Sequence, residues 1–338
     1  MDCNNCLVVE LTYEIRFEGS HNVSMMQDIA KHLLRRNIRV NIQNKRLKIK
    51  ESGVRELLDF CSDHMRMEEI YFRIENKEWN PLNEINLFIE MSWIDDVIQK
   101  GLITCYYQPI VDQTEKIFAF ELLARFQHDD GSMIYPNEIF TAAKKRGRLY
   151  ALDRLCRMTA VRHSVGLNTK AFINFIPTSI YSPEFCLKST VSLANQLGID
   201  PNQFVFEVVE TEQVEDLDHL KNILTYYKDK GFQYALDDVG EGYSTIDALS
   251  SLQPHYMKLD MKYVQGVAVD SEKQLVVQTF LNKAIEIGSI PLAEGVETRA
   301  DFEWLKQLGY QLFQGYLFGK PDPQPKMNDP FLTPFRVV

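Results

Sequence analysis

Residues 105–124 read CYYQPIVDQTEKIFAFELLA. Two strand-like runs, CYYQPIV and KIFAFELLA, are separated only by the polar stretch from Asp112 to Glu115. So short a link makes a hairpin, because a parallel crossover needs a dozen or more residues. The first strand is therefore expected to run antiparallel to the second. Six more short apolar runs follow: AFINF (171–175), FVFEVV (204–209), QYALDD (233–238), HYMKLD (255–260), IPLAEG (290–295) and QLFQGY (311–316). Helix-length connections separate them, so they read as βα units, which close most simply into a barrel. The expected fold is α/β, a TIM-like (β/α)8 barrel with an antiparallel first strand and seven parallel ones.

The strand-like runs from KIFAFELLA onward each carry a chelating or polar side chain: Glu121, Asn174, Glu207, Asp237, Lys258, Glu294 and Gln314. In such barrels the chemistry sits where strand ends converge on one mouth. Acids, an amide and one lysine gathered there describe a divalent-metal site, and phosphate-ester hydrolysis is the leading chemistry. A lysine on an apolar strand of a barrel interior is costly unless it meets anions. Lys258 is therefore expected to hydrogen-bond an attacking water or a phosphate oxygen, with a snorkelling surface lysine as the alternative. Adjacent Asp237 and Asp238 would repel each other without cations; the structural alternative is a helix N-cap with a solvated neighbour. Arg125, four residues past Glu121, is expected beyond the strand end, where its fork can grip a phosphate. An exposed structural arginine is the other reading.

The 338-residue chain suits two domains, or one barrel with an appendage. Its net charge of −10 argues against broad binding of DNA or RNA polymers, which needs a basic face. A small anionic ligand stays compatible, because metal ions and a few Arg or Lys reverse the sign locally. No apolar stretch approaches the roughly 20 residues needed to span a bilayer. The opening MDCNNCLVVE lacks a signal-peptide pattern, and a cytoplasmic location is expected. Cys105 and Cys156 lie in apolar patterns and read as buried thiols.

Residues 1–78 read as a separate α+β unit, with strand, helix, two strands turning at Gln43-Asn44, helix and strand. That βαββαβ order is ferredoxin-like and names no function by itself. A small regulatory or dimerising module is the reading. Trp79, Asn80 and Pro81 break the pattern, and residues 79–101 are expected to form one connecting helix ended by Gly101. The barrel occupies 102–325 and a tail 326–338. Cys3-x-x-Cys6 and Cys61-x-x-His64 are two halves of a possible zinc pattern. The alternative is free thiols, with Cys61 in a helix core.

The ordered motifs YQPIVD (107–112), FELLAR (120–125), INF (173–175), FEVVE (206–210), DDVGEGYS (237–244), MKLD (257–260), AEGVET (293–298) and QGYLFGKP (314–321) resemble the EAL-domain family of cyclic-di-GMP phosphodiesterases. Leu122 stands in place of the family alanine, Val209 in place of a threonine, and Glu241 where threonine is usual. The resemblance implies hydrolysis of cyclic-di-GMP to linear pGpG by water activated between two ions. Hard oxygen donors favour Mg²⁺ or Mn²⁺. It implies Glu121, Asn174, Glu207 and Asp237 on the first ion, and Asp237, Asp238 and Glu294 on the second. Glu294 or Glu297 accepts a proton or holds the second ion, and Gln314 faces the water or metal shell. Gln108 and Asp153 are candidate substrate contacts. Glu210 is expected to steady the 237–244 loop, which in the family couples dimerisation to metal binding. A homodimer through the barrel is expected on the same ground. The alternative is a catalytically silent receptor that binds cyclic-di-GMP and signals through its amino-terminal domain. A degenerate interaction protein is disfavoured by retention of Arg125 and every acidic ligand.

Overall fold

A computed structural model describes residues 8–75, 77–208, 217–240 and 245–326. They fall into two compact units: the described residues of Met1–Leu102 with Gln127–Leu152, and those of Ile103–Phe126 with Asp153–Val338.

In the first unit, β1 (Thr12–Phe17), α1 (Met26–Arg35), β2 (Val40–Gln43), β3 (Arg46–Lys50), α2 (Val54–His64) and β4 (Ile70–Ile74) follow one another, with a two-residue strand β5 (Asn80–Pro81) added at the edge. The sheet order is β2-β3-β1-β4-β5 and every pairing is antiparallel. This is the expected βαββαβ arrangement, and Asn80-Pro81 adds to it a pairing that a proline permits only at an edge. Strand alternation sends Tyr13, Ile15 and Phe17, with Leu47, Ile49, Ile70 and Phe72, into one core. Ile29 and Leu33 of α1 and Leu57 and Cys61 of α2 close it from the helix side.

The single helix expected over 79–101 is two: α3 (Ile85–Glu90) and α4 (Trp93–Lys100). At 100° per residue, Ile94 lies half a turn round from Ile85, so one straight helix would bury only one of them. A break at Met91-Ser92 buries both. Gly101 does end α4, in a left-handed conformation with φ 65°. Segment 127–152, which the sequence reading ran into the barrel, groups with this unit. Its helix α5 (Pro136–Arg146) ends in a fully buried Arg146 whose fork grips Glu51 at 2.8 and 2.9 Å and Asp95 at 2.7 Å.

The second unit is a closed barrel of eight strands. They are β6 (Ile103–Asp112), β7 (Ile117–Gln127), β8 (Lys170–Phe175), β9 (Phe204–Val208), β10 (Gln233–Val239), β11 (Tyr256–Leu259), β12 (Ile290–Ala293) and β13 (Leu312–Gln314). β6 pairs antiparallel with both β7 and β13, which closes the ring, and the remaining pairings are parallel. The hairpin reading of residues 105–124 is thus met, and the antiparallel strand is the closing stave. A layer of eight side chains, one per strand, fills the interior: Ile110, Ala119, Phe172, Val205, Ala235, Tyr256, Leu292 and Leu312. It forms the floor under the site. Among the described residues, no helix is long and apolar enough to cross a membrane.

Candidate active site

Counting two residues from each floor position toward the mouth gives Gln108, Glu121, Asn174, Glu207, Asp237, Lys258, Glu294 and Gln314. Side chains on a strand repeat their direction every second residue, so the floor and the polar layer above it share one inward face. On the other parity, Phe206 and Val208 point outward beneath the helices and join the outer core. One alternation therefore buries apolar groups outward and places functional groups inward. On β6, which runs the other way, the step leads back to Gln108, and Gln108 pairs directly with Glu121 across the hairpin.

Lys258 is the hub. It is 1% exposed, and its Nζ lies 2.6 Å from Glu207 Oε1, 2.8 Å from Asp237 Oδ1, 2.5 Å from Glu294 Oε1 and 4.0 Å from Glu121 Oε2. Glu121 is held from both sides: Asn174 Nδ2 donates to Oε1 at 2.8 Å and Gln314 Nε2 to Oε2 at 2.6 Å. Burial alone would lower the Lys258 pKa, but the surrounding carboxylates outweigh it and raise it well above the usual lysine range. Burial pushes Glu207 well up, and the charge of Glu121 beside it adds to the shift. Burial likewise raises Glu294 well above the carboxylate range. For Glu121 burial is outweighed by Lys258 and by the two amides, and its pKa is lowered.

Asp238 reaches the same mouth through a backbone irregularity. Between Leu236 and Val239, β10 spends three residues where β11 spends two, and Asp238 has φ 47°. A bulge of this kind re-aims a side chain, and aspartate is among the few residues that accept left-handed backbone. The N-cap alternative for the Asp-Asp pair is not what forms. Carboxylate oxygens of Asp237, Asp238 and Glu294 lie within 4.8 Å of one another. Burial, then the charge of Asp237, raises Asp238 to about 7.

The donor set fits divalent cations. Four carboxylates, Glu121, Glu207, Asp237 and Glu294, face one ammonium, so the layer is three negative charges in excess when all are ionised. The donors are hard oxygens. Gln314 Oε1 is buried and has no hydrogen-bond donor among the described residues, which leaves it available to a water or ion. Among the described residues, Asp237, Asp238 and Glu294 are the one group of three or more His, Cys, Asp or Glu whose ligand atoms already lie within 4.8 Å of one another, while Glu121 and Glu207 converge on Lys258 Nζ.

Other expected residues fall differently. β7 continues to Gln127, so Arg125 lies within the strand, still paired with Thr104, rather than beyond its end. It shares the parity of Glu121, roughly 13 Å farther along. Its guanidinium lies 5.0 Å from the Tyr106 ring centroid and has no carboxylate partner among the described residues. Asp153 is 2% exposed, which withdraws it from substrate, and both its oxygens are engaged within the protein: Oδ1 accepts from Ile176 N, and Oδ2 from Arg157 Nε and Ser179 Oγ. Its role is to hold the turn after β8, two residues beyond Asn174. Glu297 is exposed and makes no contact with the Lys258 cluster, so Glu294 alone of the two stands in it. Cys61 is buried, with Sγ 3.6 Å from Met65 Sδ, whereas His64 is exposed against Phe60. That is the helix-core reading of the pair rather than half of a zinc site. Cys3, Cys6, Val209, Glu210 and Glu241 lie outside the described residues.

Sequence reasoning missed Arg157, Ser179 and Gly315. An added Cβ at Gly315 would meet Val296 O at 2.1 Å and Val296 N at 2.3 Å. That close approach lets Val296 N donate to Gln314 O at 2.9 Å, tying the end of β13 to the segment after Glu294. The glycine in QGY was the available signal.

The EAL domain family model matches residues 91–321. A probable cyclic di-GMP phosphodiesterase, PdeG of Escherichia coli, is 32% identical over 234 residues, covering 66% of this chain and 45% of PdeG. The cyclic di-GMP phosphodiesterase PdeL of the same organism is 28% identical over 264 residues, covering 76% of this chain and 66% of PdeL. This chain thus spans under half the length of PdeG and only part of PdeL. A standalone versatile EAL protein from Vibrio cholerae O395, solved in its c-di-GMP bound form, is 36% identical with a TM-score of 0.59, over 65% of this chain and 92% of that one. With the family model covering well over half of its residues, the chain belongs to the EAL domain family.

Proposed function

We propose that this chain hydrolyses one phosphodiester of cyclic-di-GMP to linear pGpG, with two Mg²⁺ or Mn²⁺ ions as cofactors. The observation that carries the reading is the layer of Glu121, Glu207, Asp237 and Glu294 around the buried Lys258, with Asn174 and Gln314 steering Glu121. The named activities of PdeG and PdeL support it. In the overall reaction a water oxygen forms a bond to phosphorus, the P–O3′ bond breaks, and the water proton ends on the departing ribose oxygen.

Glu121, Asn174, Glu207 and Asp237 would hold one ion, and Asp237, Asp238 and Glu294 the other. Bound there, the ions would lower the pKa of water and neutralise charge on the phosphoryl oxygens. Asn174 Nδ2 and Gln314 Nε2 fix both oxygens of Glu121, so its carboxylate cannot rotate away from the mouth. Lys258 Nζ positions Glu207, Asp237 and Glu294 and offers a proton donor to water or a phosphate oxygen. Glu294, at the mouth beside Asp237 and Asp238, is suited to take a proton from the attacking water. Arg125, unpaired by any described carboxylate, is suited to a phosphate of the substrate.

The test is chromatography of nucleotide products after incubation with cyclic-di-GMP and Mg²⁺ or Mn²⁺. Metal-dependent pGpG from the wild type and none from Glu121→Gln is expected. Full activity in Glu121→Gln would refute the site. Binding of cyclic-di-GMP without turnover would replace the enzyme by a receptor. Dimerisation through the barrel is part of the proposal and is read by light scattering.

A further inference from the structure

The amino-terminal sheet has one face covered by helices and one face open. On the open face the cross-strand register builds two rows. In one, Asn41, Lys48, Glu14 and Arg73 lie side by side; in the other, Gln43, Arg46, Arg16 and Tyr71. The first row, with two cations and one carboxylate, is balanced by Glu75, which lies 2.7 Å from Lys48. Glu14 is nearly buried and takes Lys48 at 2.9 Å and Arg73 at 2.5 Å. The second row is not. Arg16 and Arg46 are direct cross-strand partners, and like charges placed so are destabilising. Arg16 has Glu18 at 3.1 Å, but the exposed Arg46 has no carboxylate within ion-pair distance among the described residues.

Trp79 partly relieves the crowding. Its ring lies under three guanidiniums, 4.6 Å from Arg16, 4.6 Å from Arg73 and 5.5 Å from Arg46. Cation–π contact holds the arginines in place without neutralising them. Beside them is a depression of about 860 Å³, lined by Arg16, Lys45, Arg46 and Lys48 and by the amides of Asn41 and Gln43. Glu14 and Glu18 also line it, which leaves two positive charges in excess. A protein of net charge −10 thus concentrates positive charge in one concave place.

We propose that this open face binds a phosphorylated small molecule of the nucleotide class. Preset guanidiniums match phosphate oxygens in pairs. The rim amides offer both donors and acceptors, which suits a base edge or sugar hydroxyls. The size lies in the range of small-molecule sites. A nucleic-acid strand would extend beyond so bounded a patch onto a surface of overall negative charge. The proposal is independent of the reaction assigned to the barrel.

Titration calorimetry on the full chain in EDTA tests it, with GTP, inorganic pyrophosphate and a ten-residue oligothymidylate as probes. GTP is expected to bind saturably and more tightly than pyrophosphate. Arg46→Gln is expected to weaken GTP roughly tenfold or more, the effect of one charge-assisted contact. Gln43→Ala is expected to weaken GTP but not pyrophosphate, and both variants should melt like the wild type. Trp79 emission should change with the same midpoint as the heat. Absence of saturable GTP binding, or equal GTP affinity in Arg46→Gln, would overturn the proposal. Equal affinity for GTP and pyrophosphate would overturn the nucleotide class, and preference for the oligonucleotide would overturn the small-molecule reading.

Discussion

Replacing Lys258 with methionine removes the one ammonium from a layer of four carboxylates. Methionine replaces the apolar stem of lysine and omits only the ammonium at its end, so the change is chiefly electrostatic. Removing one partner of a buried ion pair costs about 3–5 kcal/mol. The acids can instead take up protons, and at pH 7 that route costs roughly 3.7 kcal/mol for each glutamate held neutral. The two routes agree in size. For a barrel of 150–250 residues a loss of that size lowers Tm by roughly 6–20 °C. The pH dependence has a fixed sign. Burial raises Glu207 and Glu294 and raises Asp238 to about 7, so these three groups hold more protons in the folded state than in the unfolded one above about pH 4. Their contribution to the stability of the metal-free protein therefore falls as pH rises through 7, and falls more steeply in Lys258→Met. The assay is urea unfolding in EDTA at pH 6 and pH 8. It follows Trp304 emission with Trp79 and Trp93 replaced by Phe, since Trp304 packs against the barrel core. The deficit should be smaller at pH 6, and Mn²⁺ should recover part of it by supplying the missing positive charge. An unchanged midpoint in the variant, or a deficit independent of pH and of Mn²⁺, would refute the electrostatic reading of the layer.

Asp153→Ala should destabilise the barrel by about 3–5 kcal/mol, because it removes the buried carboxylate that meets Arg157 Nε at 3.0 Å and accepts from Ile176 N and Ser179 Oγ; a wild-type urea midpoint would return Asp153 to the candidate substrate contacts. Gly315→Ala should separate Gln314 from Val296 and cut turnover of the folded protein, since backbone atoms at 2.1–2.6 Å cannot accept a methyl group; wild-type kcat would exclude that. Cys61, whose thiol burial pushes up to about 12, should resist iodoacetamide at pH 8 in the native protein and react once urea unfolds it. Rapid native labelling, located by peptide mass spectrometry, would show the core of the first unit to be open.

Much of the site was legible because strand periodicity is a local property. The short Asp112–Glu115 link sets the hairpin, and seven apolar runs announce their inward polar residues. Charge chemistry alone makes Lys258 implausible on an apolar strand without anions around it. These inferences need only neighbours in sequence. The helix break at Met91-Ser92 was within reach of the same arithmetic, since Ile85 and Ile94 differ by half a turn.

Other features depend on closure, which no local pattern contains. Strand register around the ring puts Gln108, Glu121, Asn174, Glu207, Asp237, Lys258, Glu294 and Gln314 in one layer, each two residues from a floor side chain. A register slip of one residue in any strand would turn its member outward. Asp238 joins because β10 holds one extra residue against β11, a mismatch between two strands. Glu297 is left outside because the chain turns to the surface three residues after Glu294, and Asp153 is withdrawn because it is buried, with its oxygens engaged by Arg157, Ile176 and Ser179. Arg146 read as an ordinary basic residue in the last turn of a helix, yet it is fully buried between Glu51 and Asp95, far away in the chain. Which polar groups the sequence offers is written residue by residue. Which of them meet, and which are already spent on the protein's own backbone and side chains, is decided by contacts between distant segments, and only the folded chain makes those.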